Sequence, residues 1–446
     1  MLSETLSFYK TAAETISKLA VGPLWQIITN WWWVVLPFLL IKPFLYLWLW
    51  RKVENWLITI YKPLLFEIKI PKEIVKPIRA MEEVMNSIHS VVYHPPNWWE
   101  KWIDGQVQTS LSFEIISVGG DIRFFIRVHE AYVEAVRAAI YGQYPDVEIT
   151  LVDDYTKKVP QDIPNKDWDL WAADYVLLKE DAYPILTYKK FEKEQEPVEE
   201  KRVDPVSLLL EALAEMGPGE QFWIQMGASP LTDIESDWIE KGKELRDKLA
   251  KRDVEKRSQR KPILFEAAEI LIKGKTEEPK KPEIERLIPP EMRMTPGERE
   301  IVAAVEEKIS KPAFATNIRF IYLGKRDVFR KAKLRLAFTF FGSFYTHNLN
   351  ALIPFSKTLT KIPKEWFFPI NIVHPRRVYL RQRKIFRNYV SRFSPFFPLV
   401  RPKSKFMLNI EELASLYHFP SWQVAPVPGV SRIEAKKKAP PELPKE

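Results

Sequence analysis

The chain has no cysteine. That excludes disulfides, thiolate-bound zinc and a thiol nucleophile, and it fits a reducing compartment. Glycine is scarce, at 14 residues against 36 prolines, so rigid breaks and extended connectors outnumber flexible hinges. No G-x-x-x-x-G-K-[ST] string occurs. The nearest approach, Gly274-Lys275-Thr276, has Glu269 where the first glycine belongs, and a carboxylate there repels phosphate where backbone N–H groups would cradle it. Gly119-Gly120 lacks the spacing of a dinucleotide loop and reads as a turn. There is no H-E-x-x-H and no G-x-S-x-G. No two of the histidines His89, His94, His129, His347, His374 and His418 stand at the spacing of a ligand pair. The sequence therefore names no catalytic residue, no metal ligand and no cofactor site, and the expectation is a non-enzymatic protein.

Charge is missing from one long stretch. Residues 19–50 carry a single charged side chain, Lys42, and residues 19–41 alone supply 23 uncharged positions. A helix needs roughly 20 apolar residues to cross the hydrocarbon of a bilayer. The expectation is a transmembrane segment over 24–50, kinked at Pro37 and Pro43. Trp31, Trp32 and Trp33 stand at one interface, Trp48 and Trp50 at the other. A shifted span over 31–50 also works if Lys42 snorkels. The flank before it, residues 1–23, is balanced in charge. Arg51 and Lys52 open a flank, residues 51–79, with seven basic residues against three acidic. By the positive-inside rule this single-pass protein keeps the bulk of its chain, C-terminal to the span, on the cytoplasmic side of the membrane.

Acidic residues are missing from another stretch. Residues 376–405 hold ten basic side chains and no Asp or Glu, more than the whole chain's net charge of +9. Tyr379, Phe386, Tyr389, Phe393, Phe396 and Phe397 interleave with them. Arginine grips phosphate bidentately and aromatics stack on bases, so Arg376, Arg377, Arg381, Arg383, Lys384, Arg387 and Arg392 are candidates for binding DNA or another acidic partner. Two other readings fit equally: a helix with a buried apolar stripe and a solvated basic face, or a basic helix against anionic lipid.

What remains has the pattern of an α+β fold, cytoplasmic mixed α/β modules of ferredoxin-like and duplicated character. Residues 51–76 alternate apolar and charged positions and suit either a membrane-surface segment or an element packed on the soluble body. A first module spans 77–256. It opens on an amphipathic helix (Met81, Val84, Met85, Ile88, Val92), continues into a hairpin at Gly119-Gly120, then a helix (Val133, Val136, Ile140) and a strand. Asp204 and Pro205 start a further helix that leads to the strand QFWIQM. Residues 257–293, rich in Lys, Glu and Pro, read as a linker. A second module, 294–375, begins with the capping box Thr295-Pro296-x-Glu298, then a strand with Phe314, Ile318, Phe320 and Tyr322 on one face, and a basic helix over about 325–344. IRFFI at 122–126 and IRFI at 318–321 hint at a repeated module. Residues 376–422 hold the basic aromatic segment and a last helix, and 423–446 form a Pro/Lys tail.

That last helix lies in LNIEELASLYHFP, residues 408–420. Asn409 and Glu412 make a capping box and Pro420 stops it; Leu413, Leu416 and Tyr417 share a face that should pack onto the body, His418 reads as a packed or dipole-favoured histidine, and all four are also candidates for docking a partner. The string resembles the segment that precedes the motor in membrane-anchored coupling ATPases of conjugation and type IV secretion, of the HerA/FtsK type. FEIKIPKEIVKPIRAMEEVM, SFEIISVGGDIRFFIR, FATNIRFIYL and RIEAKKKAPPELP agree with that region, so the resemblance spans most of 25–444. It implies a membrane-anchored, uncharacterised N-terminal domain without its P-loop motor. The expected partners are the membrane, a separately encoded P-loop ATPase or other secretion-system subunits, and DNA. No ATP- or Mg²⁺-binding residue of the family has a counterpart here.

Overall fold

Alternating apolar residues become strands in a computed structural model. It describes residues 22–71, 76–191, 204–231, 238–250, 294–362, 373–392, 405–420 and 432–433; the side chains of 22–29, 31, 32, 34, 35, 38, 58, 432 and 433 lie outside the described set. The contacts divide the chain into two units. One comprises helix α1 (Gly22–Thr59) and the segment 96–107. The other carries an α+β body built on a ten-stranded sheet.

The first part of the body runs β1 (Pro63–Pro71), α2 (Arg79–Val92), β2 (Leu111–Val118), β3 (Asp121–His129), α3 (Val133–Gln143) and β4 (Glu148–Leu151). Its strands pair antiparallel in the spatial order β4-β1-β3-β2. The second part runs β5 (Trp168–Leu177), α4 (Tyr188–Phe191), α5 (Pro205–Ala214), β6 (Glu220–Leu231), α6 (Trp238–Leu249), α7 (Pro296–Ser310), β7 (Ala313–Lys325), α8 (Arg335–Gly342) and β8 (Leu352–Pro354). Its order, β6-β7-β5-β8, is the first order read backwards. The halves join edge to edge where β2 pairs with β6. Two late strands extend the sheet. β9 (Phe406–Asn409) pairs with β7, and β10 (Arg432–Ile433) lies parallel to β1.

Local signals account for these elements. Gly119 and Gly120 both have positive φ, 60° and 92°, which the two-residue β2–β3 turn demands. A Cβ on Gly120 would also meet the Ala214 carbonyl oxygen at 2.8 Å. Asp204 caps α5 by accepting from the Val206 N–H, and Thr295 and Glu298 complete their reciprocal box at α7. Met81, Val84, Met85, Ile88 and Val92 all point into the core.

Several expectations change. Residues 63–71, from the segment left open between membrane surface and packed element, are a strand. The boundary at 257–293 does not separate two modules, because α5 and β6 complete the second half of the sheet; residues 257–293 lie outside the described residues, in the connection between β6 and β7. The helix expected over 325–344 shortens to 335–342 after a 3-10 turn. Among the described residues no helix is long and apolar enough to cross a membrane. The expected 24–50 span falls inside α1, which runs through Pro37 and Pro43 without ending.

The sheet buries both faces. Helices α2, α3, α5 and α8 cover one, over a core that includes Phe113, Phe124, Phe222 and Phe320. The basic stretch forms helix α9 (His374–Val390) on the other, where its Ile385 and Tyr389 join Trp223 and Ile321 in a second core.

Candidate functional site

Helix α9 settles onto a polar row built by strand register. Glu114 of β2 faces Gln225 of β6, which faces Arg319 of β7, which faces Asp174 of β5. Arg319 Nε donates to Asp174 (3.1 Å) and its Nη1 to the carbonyl of Asn388 (2.6 Å), while Gln225 donates to the carbonyl of Tyr389 (3.4 Å). The last carbonyls of a helix lack intrahelical partners and carry partial negative charge, so a cation and an amide beneath them satisfy both needs.

Two residues past α9 the chain turns at Arg392, in the left-handed region at φ 49°. Its guanidinium grips Glu114 with two bonds, Nε–Oε1 at 2.7 Å and Nη2–Oε2 at 3.1 Å, and also reaches Asp154. Tyr155 Oη donates to Glu114 (2.7 Å) and lies 2.8 Å from the Tyr389 hydroxyl. Burial alone would raise the pKa of Glu114; the Arg392 charge and its hydrogen bonds outweigh that and hold it below the usual carboxylate range, and Asp154 behaves alike. Burial pushes the two tyrosines far up, so they stay neutral donors.

The seven basic candidates therefore part ways. Arg392 is buried in an ion cluster and cannot meet nucleic acid. Arg381 braces a neighbouring loop through the carbonyls of Ser356 and Leu359, and Arg383 reaches the carbonyl of Gln161. Arg376, Arg377, Lys384 and Arg387 are exposed.

At the other end of α9 lies a cleft of about 1130 Å³. Trp171, Phe329, Phe338 and Tyr379 supply its aromatic surface. Its one acid, Asp169, accepts from Gln382 (3.1 Å) and from Arg326 (3.4 Å). Lys166, Lys331, Arg335 and Lys361 line it as exposed cations, with no ion-pair partner among the described residues. Sequence reading missed this site because its cations come from three separate segments and no window of the chain shows them together. Of its lining, only Val378, Tyr379 and Gln382 lie within the basic aromatic segment. Such a cleft suits a ligand with anionic and flat aromatic parts.

Leu413, Leu416 and Tyr417 pack onto the body, as their shared face implies, whereas their reading, with His418, as a surface for a partner is corrected. Helix α10 (Ile410–Leu416) and the residues after it are buried, with Leu413, Leu416 and Tyr417 at 0% exposure and His418 at 1%. They hold the body together and offer no surface to a partner. The Asn409–Glu412 capping box forms as the spacing predicts. Glu412 also accepts from Ile185 N (2.8 Å) and pairs with Lys308 of α7 (3.1 Å), while Glu411 bonds Lys311 and Lys189. The EE of the motif is thus a clamp onto α7 and its neighbours. His418 Nε2 meets Asp204 at 2.9 Å and its Nδ1 the carbonyl of Ala414 at 3.0 Å. The Ala414 carbonyl can only accept, so Nδ1 carries a proton, and Nε2 faces the Asp204 carboxyl, which also accepts from Val206 and Ser207. Burial raises the pKa of Asp204, but the His418 charge and these bonds bring it below the usual value.

Glu114, Asp154, Asp204 and Glu411 share this direction. A depressed folded pKa adds stability above the unfolded carboxylate pKa, which is lost as pH falls through the folded one. The denaturant midpoint of the full chain should therefore hold near neutrality and drop steeply below about pH 4. A midpoint flat from neutrality to well below that range would refute the coupling.

In the other unit, residues 39–48 of α1 are exposed on every side of the helix, Leu39, Phe44 and Leu47 most of all. Trp33 and Trp48 are exposed there. Arg51 pairs with Glu54 (2.9 Å), and Lys52 lies over the Trp48 ring. Trp50 is half-buried, and the side chains of Trp31 and Trp32 lie outside the described residues. Among the described residues no group of three or more His, Asp or Glu could hold a metal ion.

A family model described as "Domain of unknown function (DUF8128)" matches residues 62–427, from the residue before β1 to beyond α10. No curated protein matches the chain.

Proposed function

We propose, from the premise that the chain belongs to the DUF8128 family, that it is a membrane-anchored scaffold without chemistry of its own. It holds a separately encoded P-loop ATPase of a conjugation or type IV secretion-like system at the cytoplasmic membrane face. The body is read as two ferredoxin-like halves joined edge to edge, and α1 as its single membrane span. The observation that carries this reading is the clamp at the EE motif. The string that resembles the coupling-ATPase anchor region most closely is welded to the body by Glu411, Glu412 and His418, which suits a platform that must transmit position without yielding. The membrane part is supported by residues 39–48, apolar but for Lys42 and open on all sides, since a helix apolar on nearly every side belongs in a core or in lipid. The test is an affinity purification of the full chain from its native membranes after crosslinking. A P-loop ATPase should be recovered as a major partner; recovery of none would overturn the scaffold reading.

A second reading, nucleic-acid binding, is supported by the cleft more than by the face of α9. If it holds, Lys331→Ala, Arg335→Ala and Lys361→Ala together should weaken single-stranded DNA binding by about tenfold or more and flatten its salt dependence. Replacing the exposed Arg376, Lys384 and Arg387 should do less. Equal losses from the two sets would return the site to the helix face.

A further inference from the structure

Three tryptophans absent from every argument so far stand on the segment 96–107, in the same unit as α1. Trp98 is 67% exposed, Trp99 60% and Trp102 41%. Large aromatic rings are not left in water without reason when they come three in five residues. The segment that displays them is rigid. Asn97 and Glu100 exchange reciprocal side chain–backbone bonds at 2.8 and 2.9 Å, and a π-helical turn (Glu100–Asp104) ends at Gly105. Gly105 has φ 75°, and a Cβ there would lie 2.6 Å from the backbone of Lys52. So the segment is bolted against α1 at Lys52–Val53. A small apolar cluster of Leu49, Val53, Trp56 and Val107 closes the joint.

The place of that joint is informative. The uncovered apolar run of α1 ends at Trp48, and Lys52 lies one helical turn further, about 6 Å along the axis. Indole rings prefer this level of a bilayer, where a flat apolar body meets a hydrogen-bonding edge. Nearby charges balance: Arg51 pairs with Glu54, and Lys52 and Lys101 offset Glu100 and Asp104. A surface of indoles without net charge fits the boundary of headgroups and acyl chains, not a phosphate in particular.

We propose that the segment 96–105, through Trp98, Trp99 and Trp102, is an interfacial anchor that lies in the headgroup–acyl boundary of a phospholipid bilayer and sets the depth of α1. The proposal rests on the membrane reading of α1 and adds a second, non-spanning membrane contact to it. It predicts insertion into neutral lipid with no help from anionic headgroups.

The absence of cysteine makes the test clean. Trp99→Cys, Ile41→Cys and Gly142→Cys each introduce a single thiol, at the anchor, in the apolar run of α1 and on an open surface of the body where a Cβ meets nothing within 4 Å. Each full-length variant is labelled with an environment-sensitive fluorophore and reconstituted into phosphatidylcholine vesicles. The label at 99 should be quenched by lipids carrying a nitroxide near the headgroup, and several-fold less by aqueous iodide than the label at 142. The label at 41 should be quenched by nitroxides deep in the acyl chains. If 99 is as open to iodide as 142 while 41 is deep, the anchor is refuted and the span stands; a protein partner is then the occupant of the tryptophans. If 99 is in lipid and 41 is not, the span fails and the anchor stands as a peripheral contact. If neither is in lipid, both fail.

Discussion

Arg392→Ala is expected to destabilise the fold by about 3–5 kcal/mol, because it strands a buried carboxylate. Glu114 has no exposure and relies on Arg392 for its opposite charge; Ser112, Tyr155 and Gln225 contribute hydrogen bonds only. Without the guanidinium, burial drives Glu114 to take a proton, and the tyrosine and glutamine donors then face a neutral acid. Two controls separate the causes. Arg392→Gly should be milder than alanine by about 1 kcal/mol, since glycine relieves the left-handed backbone at φ 49°. Joining Arg392→Met to Glu114→Gln should recover most of the loss, because it leaves no charge at the fully buried position; Asp154, which also loses its cation, is partly exposed and keeps its bonds from Thr156. Chemical denaturation of the full chain reads all three. Additive losses in the double variant, within about 0.5 kcal/mol, would show that the pair is not coupled. The same lesion should free the end of α9, seen as faster amide exchange at Asn388–Val390 than at β6.

Lys308→Met should steepen the pH response at the other lock. Lys308 and Glu412 are both sealed from solvent, and burial already raises the pKa of Glu412 despite the lysine beside it. Removing the lysine raises it further. A raised folded pKa means that stability is fully present below the unfolded pKa and is lost as pH rises through the folded one. The variant should therefore approach wild type in acid and fall behind towards neutrality, with a deficit of about 3 kcal/mol or more there. Adding Glu412→Gln should erase the pH dependence, since glutamine does not titrate, although its single amide oxygen keeps only one of the two backbone bonds, which Asn409 N and Ile185 N make to different oxygens of Glu412. A Lys308→Met deficit that does not change between acid and neutral pH would show that Glu412 is not the responding group.

Short-range signals were legible. The two-glycine turn, the caps at Asp204, Thr295 and Asn409, the apolar stripe of α2 and the alternating face of β7 depend on neighbours within one turn or one strand. The twin IRF strings were legible as well: they occupy β3 and β7, strands in matching places of the two halves. The basic block was legible as charge but not as chemistry. Its seven candidates look alike in sequence, and only packing tells them apart. Arg392 faces Glu114, which is 278 positions away. His418 and Asp204 are 214 apart, and no local pattern links them. The module boundary was misplaced for the same reason. A composition shift marks where the chain is polar, whereas the sheet is assembled by pairing, and β6 pairs with strands on both sides of that shift.

By itself, then, the sequence determined the elements, their caps, the absence of a phosphate loop and the location of the apolar run in α1, because each is set by residues a few positions apart. The tertiary structure alone decided which basic residues are spent on buried carboxylates, that the EE helix is a clamp and not a docking surface, and where cations and aromatics gather into a cleft. Those depend on which distant side chains share a low-dielectric interior, and burial decides there whether a charge is a ligand or a bolt.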